Sequence, residues 1–383
     1  MYTTEKNGPF SNSLKFLKML HQIPLSMDRS YLKKFFAIFL LSKMISFFFT
    51  TVGPVLFIIV ATLSYSEEDI TEAISITLGG SGGGIACLLF TIRYKEWYKL
   101  FKDLADVTKF GKPATYQQTI DSLNLFANIC VFGSSLVTIG YGLESWYSTK
   151  GCKDTVADFD QICPKFAPIW LPFGTNSTTA GSIIFILQFF VVGIFTSSPF
   201  LIQCFIMYES TEILICHISH LNYCFKETFE ASSMQEIRNK LRFCINYHVH
   251  ILKLGNRLSF LIKYTAGHIS LIAASVCGCV AQMINTKPMG SSVFLAGWLF
   301  ALFCFCHAGQ KIKDKTLSIG DELYKSKWYK ADRGTMKDVQ LILLRSQKPI
   351  CFEAIPLGVT DYPFYFMMLK TGYSYFALLN QAL

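Results

Sequence analysis

The sequence predicts an all-α membrane protein with seven transmembrane helices, on its overall composition and on the blockwise arrangement of its apolar residues. The 383 residues are 51% hydrophobic and only 16% charged, with 35 phenylalanines. Soluble domains usually carry about a quarter charged residues, so a chain this poor in charge needs lipid as its outer solvent. The apolar residues cluster in long blocks, which suits helices. A spanning β-barrel would show short alternating segments instead.

A bilayer core of about 30 Å takes roughly 20 apolar residues of helix. Taken in order, the spans fall at 35–63, 70–92, 123–147, 181–207, 258–284, 291–307 and 359–383. The second is interrupted by the run Gly79–Gly84, and the seventh contains Lys370. Glycine runs and charges are tolerated at membrane depth where protein or a water-filled cavity surrounds them. Residues 208–257 continue a helical pattern without proline, and 310–350 behave similarly. These two stretches are expected to carry the fourth to sixth helices into the cytoplasm as an anchor bundle. The whole chain reads as one membrane domain, without internal repeats.

Lysine and arginine set the expected orientation, because they concentrate in cytoplasmic loops. One side of the spans holds 28 of them and the other only Lys150, Lys153, Lys165 and Lys287. The N-terminus is therefore expected in the cytoplasm and the C-terminus outside, the inverse of a G-protein-coupled receptor. The net charge of +9 follows from this arrangement beside anionic inner-leaflet lipid and calls for no nucleic-acid partner. The loop assigned to the outside contains the glycosylation sequon beginning at Asn176, together with Cys152 and Cys163. In an oxidising compartment those two cysteines can form a disulfide. No cleavable signal peptide is expected, since the first 34 residues are polar.

Reactive chemistry is hard to assemble from this chain. Cys216, His217, His220 and Cys224 share a helix face, but nothing completes a closed zinc site, and they read as packing and polar contacts. His248 and His250 point to different faces. The pairs Cys277/Cys279 and Cys304/Cys306 sit in apolar helices and read as core. The run Gly79–Gly84 lacks the Lys-Ser/Thr of a phosphate loop and reads as close helix packing or a local break. No nucleophile, base and acid come together, so no enzyme, metal or cofactor is expected.

The last third carries a family pattern. Gly309, Ser318, Tyr324 and Trp328 are followed by the block Arg345-Ser346-Gln347-Lys348-Pro349, then Gly358, Leu369-Lys370 and Ser374-Tyr375-Phe376-Ala377-Leu378-Leu379. This order over about 70 residues resembles the C-terminal region of insect odorant receptors. Gustatory receptors share the fold, but their final Thr-Tyr-x5-Gln-Phe signature is met only in part by Ser374-Tyr375 and Gln381-Ala382. The chain also lacks the Asp-Arg-Tyr and Asn-Pro-x-x-Tyr motifs of G-protein-coupled receptors, and the inverted repeats of a secondary transporter.

The resemblance implies an odorant-binding subunit of a ligand-gated, non-selective cation channel in the plasma membrane of sensory neurons. Its partners would be the conserved odorant receptor co-receptor in a heterotetramer, a volatile small molecule and membrane lipid; the alternative is a gustatory-type homotetramer. The seventh helices would surround the pore, with Leu378 and Leu379 as an apolar gate below the amides of Asn380 and Gln381. Lys370 would line the inner vestibule or snorkel to the inner interface. The ligand would sit among the outer halves of the helices, in an apolar pocket with few polar groups. The expected contacts are Thr77 and Ser81; Thr138, Tyr141, Gly142 and Trp146 on the third helix; Ile184 and Gln188; and Val276 and Val280.

Overall fold

The computed structural model describes residues 8–24, 29–63, 70–149, 165–171, 178–284 and 288–382. Those residues are almost entirely helical. A short helix α1 (Ser11–Met19) precedes the membrane-length α2 (Arg29–Leu63). Then come α3 (Thr71–Ile92), the amphipathic α4 (Tyr94–Ala105) and α5 (Tyr116–Thr149). Three long helices follow: α6 (Thr179–Thr228), α7 (Met234–Met283) and α8 (Pro288–Lys325). The chain closes with α9 (Arg333–Ser346), a two-stranded antiparallel ribbon of β1 (Glu353–Ala354) and β2 (Gly358–Val359), and α10 (Tyr362–Ala382).

Helices α2, α3, α5, α6, α7 and α8 are each long and apolar enough to cross a membrane. Helix α10, with 21 residues, is the seventh member of the bundle and packs on α7. Lipid is legible on α5, where Leu125, Ile129, Phe132, Leu136, Ile139 and Leu143 are all exposed. Their spacing puts them on one helical face, where water would be a poor solvent.

The 50 residues of α7 extend about 75 Å at 1.5 Å per residue, well beyond the apolar core of a bilayer. The α6–α7 turn, α4 and α9 gather at one end, rich in lysine and arginine, here termed the basic end. The helical pattern of 208–257 is not continuous: the chain reverses between Phe229 and Ser233. Ser233 then caps α7 by accepting the Glu236 N–H at 3.2 Å, which is how a helix start satisfies an orphaned donor. His217 clamps this end together. Its Nε2 donates to the Leu104 carbonyl at 2.9 Å and its Nδ1 accepts the Tyr247 hydroxyl at 2.8 Å; the carbonyl can only accept, so the proton belongs on Nε2.

The β-ribbon wedges between α7 and α8, and glycine makes the room. A Cβ at Gly267 would lie 1.9 Å from the Ile355 carbonyl oxygen, and one at Gly309 would lie 1.8 Å from that of Thr360. Asp361 then starts α10 by accepting the Phe364 N–H at 3.1 Å.

Candidate ligand-binding site

Two of the membrane helices are locally widened and underwound, and both irregularities face the same space. Each contains a π-helical turn, Phe48–Val52 in α2 and Gly193–Ser197 in α6. Each turn is followed two residues on by a proline, Pro54 and Pro199. Inside a helix, proline offers no N–H and its ring collides with the carbonyl four residues back. Those carbonyls belong to Thr50 and Phe195, inside the two π turns. Widening the turn relieves the collision and leaves a carbonyl without its helical donor. Lys43 supplies the donor for α6, its Nζ lying 2.6 Å from the Phe195 oxygen. Ser46 and Thr196 join the same two helices by a hydroxyl–hydroxyl bond.

Helix α3 closes against this junction. Its run Gly79–Gly84 forms no break; the helix is continuous from Thr71 to Ile92. A Cβ on Gly80 would stand 2.3 Å from that of Thr50, and one on Gly79 would stand 2.8 Å from the Phe294 ring. The small residues thus set the spacing between α3, α2 and α8.

The space enclosed has a volume of about 110 Å³, of the same order as apolar cavities that take up a molecule the size of benzene. Thr50 of α2 and Ser75, Ile76, Gly79, Gly80 and Gly83 of α3 form one wall. Val137, Thr138 and Tyr141 of α5 face Val192, Thr196, Ser197 and Phe200 of α6. Met283, Phe294 and Trp298 complete it from α7 and α8, with Phe166 over the end away from the basic end. The aromatic rings brace one another: Phe200 and Trp298 have centroids 4.9 Å apart, and Tyr141 and Phe166 5.3 Å.

The wall is apolar, and the hydroxyl protons of Thr50, Ser75, Thr138, Ser197 and Tyr141 are already engaged. Thr50 donates to Ser46 O at 2.9 Å, Ser75 to Thr71 O at 2.9 Å, Thr138 to Ser134 O at 3.0 Å and Ser197 to Gly193 O at 3.1 Å. The Tyr141 hydroxyl donates to Glu72 at 2.6 Å. A guest therefore meets oxygen lone pairs, with the Trp298 indole as a donor. No charge is presented for an ionic ligand among these lining residues.

Of the residues expected from sequence, Thr138 and Tyr141 line the cavity. Gly142 and Trp146 continue the same face of α5 but pack in a neighbouring aromatic cluster. There Trp146 lies 5.0 Å from Phe185, and a Cβ on Gly142 would come 2.8 Å from Phe189. Gln188 is buried and holds the segment above the cavity, accepting the N–H groups of Phe166 and Ala167 at 3.3 and 3.4 Å. Ile184 packs against Ile169 and Leu171. Thr77 and Ser81 donate within α3, to Ala73 O at 2.7 Å and Leu78 O at 3.1 Å. Val276 and Val280 are fully buried in the main core. On α10, Lys370, Leu378 and Gln381 are exposed on the single chain. The side chains of Leu379 and Asn380 lie outside the described residues, as do Cys152, Cys163 and Asn176 altogether.

Sequence reading missed the α6 wall (Thr196, Ser197, Phe200), Thr50, and Phe294 and Trp298. A signal for the first two was present: prolines in mid-span, Pro54 and Pro199, each preceded within four residues by hydroxyl residues, Thr50-Thr51 and Thr196-Ser197-Ser198. The α8 aromatics carried none, because any phenylalanine or tryptophan in such a helix suits lipid as well as a cavity.

Seven packed helices with an apolar exterior, around a small, uncharged, aromatic-walled cavity, define a multi-pass membrane protein. Residues 69–373 match the family described as 7tm odorant receptor, and the chain belongs to that family. It is 27% identical over 159 residues to odorant receptor 22c of Drosophila melanogaster, covering 40% of this chain and 39% of that one. It is 26% identical over 151 residues to odorant receptor Or2 of Anopheles gambiae, covering 37% and 39%. Each alignment thus spans about two fifths of the relative. The fold matches the insect olfactory receptor OR5 from Machilis hrabei with a TM-score of 0.77 at 16% identity, over 97% of this chain and 98% of that one. The same receptor in complex with eugenol matches with a TM-score of 0.78, at the same 16% identity and the same coverage of both chains.

Proposed function

We propose that this chain is the odorant-binding subunit of a ligand-gated, non-selective cation channel, and that a small volatile molecule binds in the cavity between α2, α3, α5, α6, α7 and α8. The cavity itself carries this reading. Its size suits a molecule of low mass, its rings favour an apolar body, and its lone pairs and single indole suit one weakly polar group. The relative that shares the fold has been solved with eugenol, a ligand of that description.

The basic end faces the cytoplasm in this reading, in a neuronal plasma membrane, with α10 against a central pore shared with the odorant receptor co-receptor. Support comes from α10: Phe366, Lys370 and Tyr373 recur on one face and are exposed on the single chain, as a helix awaiting neighbours would leave them. Odorant-evoked current recorded with and without the co-receptor tests the assignment. Current that requires both chains supports it, and current from this chain alone points to a gustatory-type homotetramer. A panel of volatiles giving no current and no binding to the purified chain removes the cavity as an odorant site.

A further inference from the structure

At the basic end, between α4 and α7, lies an open groove unconnected with the odorant cavity. Its α4 wall carries Glu96, Lys99, Lys102 and Asp103, and its α7 wall carries Asn256, Arg257 and Phe260. Arg257 is paired with Asp103. Lys99 and Lys102 are exposed and make no ion pair among the described residues. Two further cations flank the rim. The Arg93 guanidinium lies 5.1 Å from the Phe260 ring centroid and 5.6 Å from that of Tyr264. The Lys263 ammonium lies 4.7 and 4.9 Å from the same two rings. Five cations therefore surround two carboxylates, and one carboxylate is already committed.

What lies beyond the groove identifies its occupant. On α3, Ile85, Leu88 and Ile92 are exposed at spacings of three and four, running down to Arg93. On α7, Phe260, Tyr264 and Leu271 are exposed on one face. Both apolar stripes start at the groove and run toward the middle of the bundle, away from the basic end. Aromatic residues with basic neighbours at the end of such stripes mark the depth of lipid headgroups. The arrangement is a cationic recess opening directly onto two lipid-facing helix faces.

We propose that this groove binds the phosphate headgroup of an anionic bilayer phospholipid, with Lys99, Lys102 and Arg93 on the phosphate and the acyl chains along α3 and α7. Basic recesses between membrane helices recognise headgroups in this way. The inference rests on the membrane placement of the helices and not on the odorant cavity, so failure of either leaves the other standing.

The test is native mass spectrometry of the full-length chain in neutral detergent, titrated with phosphatidylinositol 4,5-bisphosphate or with phosphatidylcholine. Three proteins are compared: the natural chain, the double variant Lys99→Gln/Lys102→Gln, and the equal-charge control Lys330→Gln/Lys337→Gln near α9. Each basic group near an anionic lipid contributes about fivefold in affinity, so the groove variant should bind the anionic lipid roughly twentyfold more weakly. The control should stay within about twofold, and phosphatidylcholine should show no preference between proteins. Equal weakening in both variants would mean diffuse attraction, and no weakening in the groove variant would place the lipid elsewhere; either overturns the proposal. Displacement of the lipid by millimolar inorganic phosphate would make the groove a soluble-anion site and likewise overturn it.

Discussion

The ammonium of Lys43 on α2 donates to the carbonyl oxygen of Phe195 on α6, 2.6 Å away at membrane depth. That oxygen is the one Pro199 cannot serve, being four residues before it and inside the π turn Gly193–Ser197. A charge that would be costly in lipid thus satisfies an acceptor that the helix cannot. The pair also fixes the angle at which α2 and α6 meet beside the cavity.

Replacing Lys43 with methionine keeps the length and removes the donor. Leaving a buried carbonyl unpaired costs about 1–3 kcal/mol, so Lys43→Met should lower the thermal midpoint of the purified chain and its level at the cell surface. Lys43→Arg retains reach and donors and should restore most of both. Equal behaviour of the two variants would mean that the bond carries no stability.

Gly80→Ala brings a methyl against Thr50, where a Cβ has 2.3 Å of room. Overpacking of this kind costs about 1–3 kcal/mol. Gly84→Ala, with nothing within 4 Å, should be neutral. Pairing Gly80→Ala with Thr50→Ala should recover part of the loss, and a double-mutant cycle on thermal midpoints measures the coupling. Strict additivity would show that α2 and α3 do not meet there.

Trp298 lines the cavity, whereas Trp146 packs on Phe185 outside it. Removing an aromatic wall forfeits on the order of 2 kcal/mol of apolar burial, roughly a thirtyfold higher half-maximal odorant concentration. That shift is expected for Trp298→Ala. Trp146→Ala should act mainly on expression. Dose–response curves at matched surface levels decide between them, and the reverse ranking would move the ligand into the Trp146–Phe185 cluster.

If α10 lines the pore, Leu378→Ser should raise ligand-independent current by making a dry constriction wettable. Gln381→Glu should change cation permeability more than odorant sensitivity. Silent behaviour in both variants would place the ion path on another helix.

Asp332 starts α9, accepting from the Gly334 N–H at 3.1 Å and the Thr335 hydroxyl at 2.7 Å while pairing with Arg238 at 3.1 Å. The hydrogen bond from Arg238 holds its carboxyl well below the ordinary aspartate range, aided by Thr335. A lowered value means stabilisation that is present above the unfolded-state range and fades as pH falls through the folded one. Asp332→Asn, which keeps the cap, should lose less stability at neutral pH than Asp332→Ala. The gap between the natural chain and Asp332→Asn should close on acidification. Exposure limits the size of the effect, so thermal midpoints must be compared at low salt.

The sequence by itself determined the class of this protein. Low charge, apolar blocks of membrane length and the C-terminal pattern from Gly309 to Leu379 are one-dimensional properties, because a bilayer selects for the length and composition of each segment separately. That Thr138 and Tyr141 share one helix face beside a glycine is likewise a one-dimensional property. Tertiary structure decided the rest. Gly79 and Gly80 became cavity wall only because Phe294 and Thr50 arrive from α8 and α2. Gln188 serves the backbone of Phe166, and Trp146 stays outside the cavity. Periodicity records which face of a helix is buried but not which neighbour covers it. A pocket built from six helices is set by their mutual rotation, which here depends on two proline-widened turns and the lysine that bridges α2 to one of them.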